Sequence, residues 1–110
     1  MTTYNVTVAN GGTQSGAVNL LNDQSPFYGL VGIVTPSALT STTITIQPSL
    51  DGSTFLTHAD YTGTSYTIPI GTNRWIALDP AMFAGFPWVR IVTGSAEGAD
   101  RTFKLVVRAV

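Results

Sequence analysis

Apolar and polar residues alternate along much of this chain. Residues 43–47 read Thr-Ile-Thr-Ile-Gln, residues 4–8 read Tyr-Asn-Val-Thr-Val, and residues 65–70 read Ser-Tyr-Thr-Ile-Pro-Ile. Neighbouring side chains on a strand point to opposite faces, so a period of two predicts strands with one dry face and one wet face. Asp51-Gly52 follows the first of these runs. Glycine reaches positive φ without strain, which a tight turn needs, so a hairpin is expected between residues 42–50 and 53–58.

The same reading predicts strands at residues 4–8, 17–21, 27–35, 65–70, 74–78, 86–93 and 102–110. Residues 27–35 are almost wholly apolar, as in a central strand buried on both faces. Gly29 and Gly32 inside it predict a bulge or a close backbone approach. Pro48 lacks an N–H, so its end of the strand is expected at an edge or a bulge. Asp79-Pro80 opens one helical turn that Gly85 can close, because aspartate caps and proline suits the first helical position. The expected fold is therefore all-β: one domain over residues 1–110, an antiparallel β-sandwich, jelly-roll-like, of eight or nine short strands.

Composition narrows the classes of function. Cysteine is absent, so no disulfide supports the fold and no thiolate can act. Only 10% of the residues are charged and the net charge is −1, where ordinary domains carry about 25% charged residues. A folded chain of this mass exposes on the order of 5,800 Å², which leaves about one charge per 530 Å². Such a surface suits burial against partners, where charge is depleted. It excludes nucleic acid, which requires a concentrated basic field. No apolar run approaches a membrane span, and residues 1–8 carry neither the basic region nor the apolar core of a secretion signal.

Little chemistry is expected. His58 is the one histidine, and no nucleophile elbow accompanies it. Of the carboxylates Asp23, Asp51, Asp60, Asp79, Glu97 and Asp100, Asp51 is assigned to a turn and Asp79 to a cap. None forms an evident catalytic pair. Asp51 and Asp60 lack the spacing of an EF-hand. Catalytic residues, cofactor sites and metal sites are all expected to be absent. Contacts with partners are expected instead. Alternation puts Trp88 and Arg90 on one strand face, and Lys104 and Arg108 on one face of the last strand. Tyr4, Val6, Val8 and Val110 lie in the terminal strands, whose edges a neighbour could extend.

Two segments resemble small β-sandwich structural proteins of tailed bacteriophages. They are residues 30–55, LVGIVTPSALTSTTITIQPSLDGSTF, and residues 76–107, IALDPAMFAGFPWVRIVTGSAEGADRTFKLVV. Together they cover a little over half the chain, and the resemblance lies in their order and spacing. It implies a non-enzymatic capsid decoration, or cement, protein. Such a protein is made in the host cytoplasm, sits on the capsid exterior of the virion, acts as a homo-oligomer and binds the major capsid protein. A second resemblance joins SLDGSTF and WVRIVTG to discoidin-like carbohydrate-binding jelly rolls. That resemblance bears on architecture more than on function. The alternative function is a glycan-binding module of a phage tail or spike, for which Trp75, Trp88, Tyr61, Tyr66, Phe27, Tyr28, Phe83 and Phe86 could form a sugar-stacking platform.

Overall fold

A computed structural model describes residues 2–20, 28–83 and 86–109. Eight strands and one helical turn follow in order: β1 (Thr2–Val8), β2 (Val18–Asn19), β3 (Tyr28–Val34), β4 (Thr43–Ser49), β5 (Ile68–Pro69), β6 (Trp75–Ala77), α1 (Pro80–Phe83), β7 (Trp88–Thr93) and β8 (Arg101–Ala109). They form two four-stranded sheets with the orders β1-β8-β3-β6 and β2-β7-β4-β5. All pairings between the strands are antiparallel.

These pairings have a simple logic. β4 pairs with β5, β3 with β6, β2 with β7 and β1 with β8. The chain is thus one long hairpin closed between β4 and β5. The hairpin is rolled up so that β8 also meets β3 and β7 also meets β4. This is the jelly roll. The roll turns one face of each sheet inward, and the alternating residues fill the space between. Val6, Leu30, Ile33, Phe103, Leu105 and Val107 come from one sheet, and Ile44, Ile46, Val89 and Ile91 from the other. The pattern in β7 is strict. Val89, Ile91 and Thr93 are buried, while Trp88, Arg90 and Val92 are only half-buried.

Several local expectations match the structure. β3 has β8 on one side and β6 on the other, and residues 29–34 are all buried or half-buried. Its register shifts between Leu30 and Gly32, as at a bulge. A Cβ on Gly32 would lie 2.8 Å from Nε1 of Trp75, so the glycine lets the indole approach the strand. Pro48 lies beyond Ile44, the last β4 residue that β5 covers, where the loop at Phe55 and Leu56 rather than a strand meets that side of β4. The Ala81 amide donates to the Asp79 carboxylate at 3.0 Å, so Asp79 does cap α1.

Other expectations need correction. The turn at Asp51-Gly52 forms, with Gly52 at φ 82°, but residues 53–58 are not a strand. One bridge, Ser49 to Phe55, is all that remains of that hairpin. The reason is local competition. The Asp51 carboxylate accepts the amides of Ser53 at 2.8 Å and Thr54 at 2.9 Å, so they are not available to a ladder. The strand that does pair with β4 is β5, far along the chain. The last strand is not an edge either, because β8 lies between β1 and β3. Phe27, Gly85 and Val110 fall outside the described residues.

Candidate functional site

The turn after β4 builds an apolar patch at one end of the sandwich. The Ser49 hydroxyl accepts the Gly52 amide at 2.9 Å, and Asp51 holds the next two amides. Those hydrogen bonds keep the Asp51 carboxyl below the usual range, the Thr54 amide contributing most. Gly52 has two reasons to be glycine. Its φ is positive, and a Cβ there would meet the Trp88 indole at 2.8 Å. The Leu56 amide then donates to the Pro48 carbonyl at 3.0 Å, closing the loop back on β4. Leu50 and Leu56 are left outside, 83% and 59% exposed. With Pro48, Ser49, Phe86 and Pro87 they line an open cavity of about 300 Å³. The sequence reading missed both leucines. No local signal marked them, because the pattern assigns both to paired strands of the expected hairpin.

Beside this patch, Arg90 is already engaged. Its guanidinium stands 4.3 Å from the centre of the Phe55 ring. Its Nε donates to Gln47 at 2.9 Å, and an Nη donates to Gln14 at 3.3 Å. Arg90 therefore ties the loop to the outer face of its sheet. Trp88 has the same role through Gly52.

The eight residues expected at an interface do not converge. Val6 and Val8 are buried, 4% and 0% exposed, so their side chains serve the core. Tyr4 packs partly against that core. Trp88 and Arg90 lie on the outer face of one sheet. Lys104 and Arg108 are exposed on β8 in the other sheet. Val110 lies outside the described residues. The most exposed tryptophan is Trp75, 61% accessible on the edge strand β6.

His58 belongs to an aromatic cluster. Its ring centre lies 4.6 Å from that of Tyr66, 4.7 Å from Phe83 and 4.9 Å from Phe86. Burial holds its pKa below the ordinary histidine value, against the opposing effect of a hydrogen bond with the Met82 backbone. Its Nδ1 is buried without a partner among the described residues. The imidazole thus works as a packing group joining the β4–β5 loop to α1. Asp60 is occupied in a turn of its own, accepting from the Thr62 hydroxyl and the Thr62 and Thr64 amides. Asp51 and Asp60 therefore serve separate turns. Among the described residues no three His, Cys, Asp or Glu side chains gather as metal ligands.

Glu97 is the carboxylate that the sequence reading undervalued. It is 1% exposed and accepts the Thr40 amide at 2.8 Å, the Ser41 amide at 2.9 Å and the Ser41 hydroxyl. Arg101 pairs with it at 3.1 Å. Its own amide donates to the Gly12 carbonyl, and its carbonyl accepts the Gly11 amide. One residue thereby joins three loops. Nothing in its spacing marks the link to the 40–41 loop, because Ser41 and Thr40 lie 56 and 57 residues away.

No protein-family model matches the chain, and no curated protein matches it. Among solved structures it is similar to a mitogen derived from Yersinia pseudotuberculosis, at 15% identity and a TM-score of 0.46. The match covers 99% of this chain and 85% of the mitogen. A likeness that low says nothing of function, and the jelly roll follows from the strand order alone.

Proposed function

We propose that this chain is a non-enzymatic structural protein of a bacteriophage particle, of the capsid decoration or cement type. In this reading it is made in the host cytoplasm and docks on the capsid exterior as a homo-oligomer. There it spans joints between copies of the major capsid protein. The observation that carries the reading is the open apolar patch around Leu50 and Leu56 on a surface almost without charge. Eleven charged side chains over 5827 Å² leave about one per 530 Å², and Glu97 and Arg101 neutralise each other. Two such leucines gain about 25 cal/mol for each Å² of apolar surface they withdraw from water. One patch of this size binds weakly. Repetition over a shell turns weak contacts into avidity, and a rigid sandwich loses little conformational entropy on docking. A glycan-binding module of a tail or spike is the alternative, and the exposed indole of Trp75 favours it, since a sugar ring can stack on a flat aromatic face.

Comparison of complete particles with particles lacking this protein tests the proposal. Depleted particles should assemble but break at lower temperature or on osmotic shock. A protein carrying Leu50→Ser and Leu56→Ser should fold normally yet fail to restore them. Equal robustness of both particles, with loss of adsorption to the host, would reject the cement reading in favour of glycan binding.

A further inference from the structure

The cavity at Leu50 and Leu56 has a second hollow beside it. The first, of about 300 Å³, is lined by Pro48, Ser49, Phe86 and Pro87 together with the two leucines. The second, of about 280 Å³, is bounded by the same two leucines, with Asp51 and Thr54 completing it. Pockets for whole small molecules begin at about 300 Å³ and enclose most of the ligand. Each hollow here is open and at the bottom of that range, which suits one side chain of a larger partner. The turn does not use all of the Asp51 carboxylate. Its Oδ1 accepts the Ser49 hydroxyl at 3.0 Å and the Ser53 and Thr54 amides. Among the described residues none of its bonds uses Oδ2, and no basic side chain pairs with it. Arg90 is engaged with Gln47, Gln14 and Phe55 instead. The carboxylate is exposed, and it is charged at neutral pH. Any partner that covers Leu50 and Leu56 also takes water from this charge, which is costly unless a cation replaces the water.

We infer that the patch takes a partner segment presenting an apolar side chain beside a lysine, with the apolar group in the first hollow and the ammonium on Oδ2 of Asp51 in the second. The inference rests on the patch being a docking surface, as proposed above, and adds what that surface selects. Lysine fits better than arginine. Oδ1 already takes three donors, so the two-pronged grip of a guanidinium would find one oxygen free. An ammonium is a point charge and needs only one. The apolar stem of a lysine can lie along Leu50, which borders both hollows. An acidic segment is rejected, because two carboxylates would then face each other as water leaves. Apolar contact thus supplies the affinity, and Asp51 supplies the selectivity.

Purified protein and three blocked dipeptides test it. Leucyl-lysine, leucyl-glutamine and leucyl-glutamate, each acetylated and amidated at its ends, are titrated in while the NMR signals of Leu50, Thr54 and Leu56 are followed. The lysine peptide should shift those signals and bind about three-fold tighter than the glutamine peptide at low salt, with the glutamate peptide weakest. Added salt should narrow the gap by the small amount that one ion pair allows. Asp51→Asn is the discriminating variant. Its carboxamide oxygen still accepts the three donors that hold the turn, while an NH2 group replaces Oδ2. The remaining signals should stay in place, showing an intact fold, and the preference for lysine should be lost. Leu50→Ser should weaken all three peptides. Equal binding of the three peptides to the wild type overturns the inference. So does tighter binding of the glutamate peptide, a lysine preference that survives in Asp51→Asn, or the absence of any shift at Leu50 and Leu56. The depleted-particle experiment fails separately. Robust depleted particles would reject the cement reading and leave the lysine preference standing, whereas fragile ones without peptide selectivity would reject only the lysine partner.

Discussion

Gly52 and Glu97 show how much one residue can carry here. Gly52 needs both a positive φ and room for the Trp88 indole. Gly52→Val should therefore destabilise the protein by about 2 kcal/mol or more. Chemical denaturation measures this, and adding Trp88→Ala separates the causes: partial recovery assigns that part to the steric clash. Glu97→Ala leaves the Thr40 and Ser41 amides without their acceptor and the Arg101 guanidinium without its carboxylate, while the Ser41 hydroxyl keeps the Ser95 carbonyl at 2.8 Å. The expected cost is about 3 kcal/mol in the same measurement. Acid should act in the same direction. Burial pushes the Glu97 carboxyl up, but the bonds from Ser41, Thr40 and Arg101 together hold it below the ordinary glutamate value. Its contribution is complete above that ordinary value and is lost as pH falls below it, because the unfolded chain takes up the proton first. His58 adds an earlier loss. Its folded pKa lies below the ordinary 6.5, so stability declines as pH falls through that value. Melting temperature should drop between pH 7 and pH 5, and His58→Phe should flatten that part of the curve. A wild-type profile level down to pH 5 would contradict the packing described for His58.

At the scale of elements, the loop between β4 and β5 is where pattern and structure part. Residues 53–58 are placed by the Asp51-Gly52 turn to return as a strand, yet Asp51 consumes their first amides. Asp51→Ala should release those two amides. Hydrogen exchange at Ser53 and Thr54 should then accelerate, while β4 and β7 remain protected. Unchanged exchange would mean that the carboxylate does not set this turn. The same competition explains why a local signal failed: a side chain two residues away offered the backbone a better partner than a strand did. β1 teaches a related point. Its alternation was legible, and so was its place at a chain end. Whether it would be an edge was not, because that depends on where β8 lies, and β8 took the inner position instead.

For the whole molecule, the shortage of charge has a measurable consequence. Association through the Leu50 patch should vary little between low and high salt, because few ion pairs exist to be screened. Steep weakening of association with salt would point to Lys104 and Arg108 as the contact, as the sequence reading proposed. Period-two alternation, turn residues and the cap at Asp79 were sufficient to identify an all-β sandwich, because they are properties of neighbours in the chain. The inward residues of β4 and β7 could be named for the same reason. Strand order, the shared carboxylate of Glu97 and the aromatic cage of His58 could not. Each joins residues tens of positions apart, and no local preference encodes which distant partner a strand or carboxylate will meet. The candidate surface divides in the same way. The charge-poor surface was visible in composition, whereas the exposure of Leu50 and Leu56 depended on the roll of the hairpin, which gave β4 a partner in β5 and left the turn between them uncovered.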